Sequence, residues 1–123
     1  MAAQPVMVII VDPSVTVRRV LIEFLRSVPE LTIAGEADSG AEALRLAEEL
    51  QPGLVLADNA LPDLSVNELI QAIKVVSRDT QVIVLSTYDI DIYRETALAN
   101  GAADFIVKTD LVERLTPVVR TLF

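Results

Sequence analysis

Four residues with side chains able to do chemistry each close a short apolar run. Val6–Val11 ends at Asp12, Leu54–Ala57 at Asp58, Val82–Leu85 at Ser86, and Phe105–Val107 at Lys108. Two carboxylates, a hydroxyl and an ammonium form a site that suits a phosphoryl group. A carboxylate can act as nucleophile and form an acyl phosphate. The transition state spreads negative charge over the equatorial oxygens, so cations and donors must surround it. The sequence contains no histidine and no cysteine. Thiol catalysis, zinc–thiolate sites and a Ser-His-Asp hydrolase are therefore excluded. A divalent metal would have to sit on oxygen ligands, which favours magnesium.

Bringing four such ends together takes a particular kind of scaffold. Short runs of Val, Ile and Leu read as strands buried on both faces of a parallel sheet. Strands are expected at Val6–Val11, Leu31–Ala34, Leu54–Ala57, Gln81–Leu85 and Asp104–Val107. Helical spacing lies between them. Val17, Val20, Leu21, Phe24, Leu25 and Val28 form the first helix, opened by Ser14 and closed by Pro29. Ser39-Gly40-Ala41-Glu42 has the capping-box pattern, with Ala43, Ala47 and Leu50 facing inward and Pro52-Gly53 as the stop. A second such box, Ser65 to Glu68, precedes Val66, Leu69, Ile70 and Ile73. A fourth helix over Ile90–Ala99 has the weakest pattern and ends at Asn100-Gly101, a left-handed cap. The fifth starts near Asp110 and carries Leu111, Leu115, Val118, Val119 and Leu122, with Pro117 predicting a kink or a late start.

Five strands alternating with five helices predict an α/β doubly wound, five-stranded parallel sheet with right-handed crossovers. The mixed second strand belongs at an edge, which fits the order 2-1-3-4-5. That order places Asp12 and Asp58 together at the switch point, where ligands bind in such sheets. The chain has 123 residues, of which 52 % are hydrophobic, too many for a disordered chain and enough for one domain. Its formal charge of −8 argues against nucleic acid or an anionic membrane as a direct partner. No apolar run reaches the roughly 20 residues of a membrane span, and no signal peptide is evident. A cytoplasmic protein is expected.

Ile9-Ile10-Val11-Asp12, Val55-Leu56-Ala57-Asp58, Leu61-Pro62, Val82 to Thr87, Gly101-Ala102 and Phe105 to Lys108, in this order, resemble a CheY-like response-regulator receiver domain over almost the whole chain. Ser86-Thr87-Tyr88-Asp89 and Lys108-Thr109-Asp110 are most similar to receivers of the NarL/LuxR-type subfamily, which usually carry a C-terminal helix-turn-helix domain. The resemblance implies a flavodoxin-like fold and a non-enzymatic signalling role, in which Asp58 accepts a phosphoryl group from a sensor histidine kinase or a phosphotransfer protein. By position, Asp12, Asp58 and the Ala60 carbonyl would hold magnesium. Ser86 matches the switch hydroxyl, Lys108 the invariant lysine, and Phe105 the aromatic that swings inward on activation. Tyr88 and Ala60 match positions that tune dephosphorylation. Arg18-Arg19 lies where partners dock, or on an ordinary solvated face. Ile90, Ile92, Tyr93 and Val112 fall on the output face of the fourth helix, fifth strand and fifth helix, through which a homodimer could form. DNA would be reached only through a C-terminal domain outside this sequence, the 123 residues then being the N-terminal part of a longer regulator.

One departure bears on the chemistry. The family has a second acid after Asp12, and here it is Pro13. Val66 also replaces a common glycine, and Thr109 a common proline. Losses in the outer shell of a metal site typically cost 10–100-fold in affinity. Loss of a direct ligand should cost at least that, roughly 1.4–2.8 kcal/mol. Magnesium binding is therefore expected to be weak, and a pseudo-receiver that works without phosphorylation is the alternative. A flavodoxin-type cofactor site would need glycine after the first strand, where Asp12 to Thr16 has none. A haloacid-dehalogenase-like enzyme would need an acid at position 60, which is Ala60.

Overall fold

A computed structural model describes residues 4–123. Its elements are β1 (Val6–Val11), α1 (Val15–Leu25), β2 (Leu31–Ala37), α2 (Gly40–Leu50), β3 (Leu54–Asp58), α3 (Val66–Val76), β4 (Gln81–Ser86), α4 (Asp91–Ala99), β5 (Asp104–Val107) and α5 (Leu111–Leu122). The five strands are parallel in the order β2-β1-β3-β4-β5, as the sequence pattern predicts. Side chains alternate across the sheet and build two cores. Ile9, Val11, Val55, Val82, Val84 and Phe105 pack with α2, α3 and α4. Val8, Ile10, Leu54, Leu56, Ile83 and Ile106 pack with α1 and α5. All five residues of β3 are buried, so the strand ending in Asp58 is anchored from both sides.

β2 is longer than its apolar run. Val8 pairs with Ile33 and Ile9 with Gly35, which leaves Ala34 as a bulge, and pairing resumes as far as Val11 with Ala37. Gly35 and Glu36 hide this extension from any hydropathy reading, but the free edge of β1 recruits them. Ser14 caps α1 by accepting from Val17 N–H at 3.2 Å. The box at Ser65 is complete. At Ser39 only the hydroxyl half forms, because Glu42 turns to Arg45. The Asp63 carboxylate instead accepts from Gly40 and Ala41 N–H at 2.8 and 2.9 Å. That ties the loop after Asp58 to the start of α2, and a side chain at Gly40 would strike Leu64. α2 ends at Leu50, before the Pro52-Gly53 stop, and Gln51 between them takes the left-handed φ of 48°. Gly101 takes φ +106° after α4, as its sequence predicts. A 3-10 turn over Lys108–Asp110 precedes α5, and that helix runs through Pro117 without interruption.

Candidate functional site at the carboxyl ends of β1 and β3

Three of the four strand-end residues meet. Lys108 Nζ lies 2.9 Å from Asp12 Oδ2 and 2.6 Å from Asp58 Oδ1. Both carboxylates are buried, at 3 % and 7 % exposure, whereas the lysine keeps a path to solvent. The remaining oxygens are held locally. Asp12 Oδ1 accepts from Ser14 N–H at 2.8 Å and Asp58 Oδ2 from Ala60 N–H at 3.0 Å. Each carboxylate is thus fixed by one backbone amide and one shared ammonium. Burial works against the charge on Lys108, but its hydrogen bonds to Asp58 and Asp12, and their charges, outweigh it and hold the ammonium above the usual lysine pKa. Two carboxylates against one ammonium leave the cluster short of one positive charge.

The fourth residue is placed differently. Ser86 ends β4 beside Val107 and is buried, but its hydroxyl donates to the Tyr88 carbonyl at 2.8 Å and accepts Tyr88 N–H at 3.1 Å. It faces its own loop rather than Asp58. Phe105 has no exposed surface, so this aromatic already lies inside. Ile92, Tyr93 and Val112 are exposed at 61 %, 41 % and 70 %, and Ile90 at 37 %, on the face where the sequence placed them.

The donors that the structure brings together for a metal are the Asp12 and Asp58 carboxylates. All are hard oxygens, which suits magnesium in kind. Pro13 adds none, and no cluster of three acidic, imidazole or thiol ligands occurs among the described residues. The set fits magnesium in type and is short of one acid.

Two arginines near the site were not singled out by sequence reasoning for what they do. Arg18 was seen only as half of a basic pair on a helix. In the structure its Nη1 donates to the Asp12 carbonyl at 2.6 Å and its Nε to Glu36 at 2.8 Å, so it braces the end of β1 while Arg19 stays exposed. Arg94 lies over the Phe105 ring. Neither has a periodicity signature, because an inward turn is decided by which carbonyl lies open beneath the helix. Asp63 likewise carries no local signal, since its partners are about twenty residues away in sequence.

The chain is a doubly wound parallel sheet with two acids at its switch point and a lysine bridging them. Residues 8–120 match the response regulator receiver domain family, and the chain belongs to it. It is 37 % identical over 108 residues to the transcriptional regulatory protein YdfI of Bacillus subtilis, covering 88 % of this chain and 50 % of that protein. It is 38 % identical over 87 residues to a protein-glutamate methylesterase/protein-glutamine glutaminase of Myxococcus xanthus, covering 71 % of this chain and 24 % of that protein. The signal receiver domain of the response regulator NarL from Mycobacterium tuberculosis superposes with a TM-score of 0.85 at 26 % identity, covering 96 % of this chain and 98 % of that one. The chain therefore spans half or less of the length of YdfI and of the Myxococcus xanthus protein. No helix among the described residues is long and apolar enough to cross a membrane.

Proposed function

We propose that this receiver accepts a phosphoryl group on Asp58, delivered by a sensor histidine kinase or a phosphotransfer protein, and passes the change to the α4–β5–α5 face. The observation that carries this reading is the buried Asp58 carboxylate with Lys108 Nζ at 2.6 Å. A carboxylate oxygen of Asp58 attacks phosphorus, the P–N bond to the donor imidazole breaks, and the electron pair leaves with the imidazole, which takes up a proton. Lys108 then faces a phosphoryl oxygen instead of a carboxylate, and Ala60 N–H stays within reach of the same centre. Asp12, Asp58 and the Ala60 carbonyl would hold magnesium, which would neutralise charge on the transferred group. Pro13 makes that binding weak. The domain's output is read by contact. Exposed Ile90, Ile92, Tyr93 and Val112 suit a second copy or an effector. The formal charge of −8 argues against DNA contact by this domain itself.

Pro13 also favours a second reading, a receiver fold used for protein contact without phosphorylation. One titration separates the two. The chain is incubated with acetyl phosphate or beryllofluoride over rising magnesium and its intact mass and spectrum are followed. An adduct at Asp58 supports the first reading. No adduct even at high magnesium supports the second.

A further inference from the structure

One guanidinium holds three parts of the switch region together. Arg94, on α4, lies with its Cζ 4.9 Å from the centroid of the Phe105 ring. Its Nη1 donates to the Phe105 carbonyl on β5 at 2.8 Å. Its Nη2 pairs with Asp89 Oδ1 at 3.3 Å. Asp89 belongs to the loop that begins at Ser86, and that loop is folded back by the two bonds between the Ser86 hydroxyl and Tyr88. The buried ring has no distance left to travel inward. The movable part is therefore the polar clamp above it.

We propose that Arg94 is the positioning residue that couples the Ser86 loop to the α4–β5 face. If the Ser86 hydroxyl turns toward a phosphoryl group on Asp58, it must give up both bonds to Tyr88. The segment carrying Asp89 is then released, and Arg94 loses the one carboxylate that fixes its orientation. The planar fork makes the coupling specific. It donates to a carbonyl, meets a carboxylate and covers an aromatic face at once, which an ammonium cannot do. The clamp has two arrangements, with Asp89 engaged or released, and the loop biases the choice between them. The phosphoryl-acceptor reading of Asp58 supplies only the trigger, since the clamp can also be opened by removing the Ser86 hydroxyl.

The test uses the whole chain, beryllofluoride with magnesium as probe, and two NMR readouts. Fluorine resonances report the adduct at Asp58, and the amides of Ile92 and Tyr93 report α4. Arg94→Gln should form the adduct as the parent chain does, while most of the α4 shift change is lost. Arg94→Lys should restore little of the response, because charge alone does not rebuild the fork. A full α4 response in Arg94→Gln would overturn the proposal. A second arm needs no adduct. Ser86→Ala should shift Ile92 and Tyr93 in the parent chain but add nothing once Arg94→Gln is present, and additive shifts would overturn the coupling. Failure of beryllofluoride to bind the parent chain counts against the acceptor reading alone, and the Ser86→Ala arm then decides about Arg94. Should Arg94→Gln not fold, Asp89→Asn, which leaves the ring covered, enters both arms with the same expected loss.

Discussion

Replacing Pro13 by aspartate should convert a metal-poor site into a metal-hungry one, with a measurable loss of stability when no metal is present. Position 13 is exposed, whereas Asp12 beside it is buried at 3 % exposure. A new carboxylate would join two that already share one ammonium, Lys108. At a separation of roughly 6 Å and an effective dielectric of about 40, each like-charge pair costs about 1.4 kcal/mol, and attraction to Lys108 returns about as much as one pair costs. Loss of the stiff proline adds about 0.4–1 kcal/mol through the unfolded chain. The sum is roughly 2 kcal/mol of destabilisation in metal-free buffer. For a domain of this size that lowers Tm by about 6–10 °C. Magnesium should reverse the effect. A site 10–100-fold tighter than in the parent chain, filled to about 100 times its Kd, returns about 2.7 kcal/mol. Thermal melts in chelator and over a magnesium titration check this, with calorimetric titration giving Kd directly. If Pro13→Asp melts like the parent chain in chelator and gains no more from magnesium, the account of Pro13 is wrong.

Lys108→Met should slow adduct formation from acetyl phosphate by about 100-fold or more, since it removes a preorganised cation from the developing charge; intact-mass time courses measure this. Because the Lys108 pKa is raised, its contribution to stability is complete below the ordinary lysine value and is lost as pH rises through the raised one. The parent chain should therefore lose stability at alkaline pH in denaturant melts, and Lys108→Met should lack that component. Asp63 behaves in the opposite sense. Amides of Ala41, Gly40 and Leu64 hold its carboxyl below the usual range, so its contribution is present above the ordinary aspartate value and fades as pH falls through the lowered one. Asp63→Asn should flatten the acid limb of the stability profile. Gly40→Ala places a methyl 2.9 Å from Leu64 Cδ1 and 3.0 Å from its Cβ, and should cost about 1–3 kcal/mol in urea unfolding.

The parts of the fold that hydropathy displays are those buried on both faces. β1, β3, β4 and β5 stand out as apolar runs because helices cover them on each side. The far half of β2 does not, since Gly35 and Glu36 belong to an edge and are held by pairing rather than by burial. At the site, the logic of strand ends located Asp12, Asp58 and Lys108, because parallel topology alone brings those backbones together. It could not give the direction of the Ser86 hydroxyl. That is set by a turn of two residues, a local choice between bonding to Tyr88 and facing the carboxylates. Arg18 and Arg94 were legible as charges on helices but not as braces. Their partners are main-chain carbonyls at Asp12 and Phe105, and main-chain atoms leave no mark in a sequence.

The bulge at Ala34 and the brevity of β5 also govern how copies of this chain can meet. A sheet with two open edges is a template for further strands, and proteins blunt such edges by shortening or twisting them. Here β5 offers only four residues. The outer strand β2 is bent at Ala34 and carries Glu36, whose carboxylate is engaged by Arg18. Neither margin presents the long, flat ladder that strand-to-strand addition requires. A strand added from a second copy would meet a four-residue strand at one edge and a bulged one at the other.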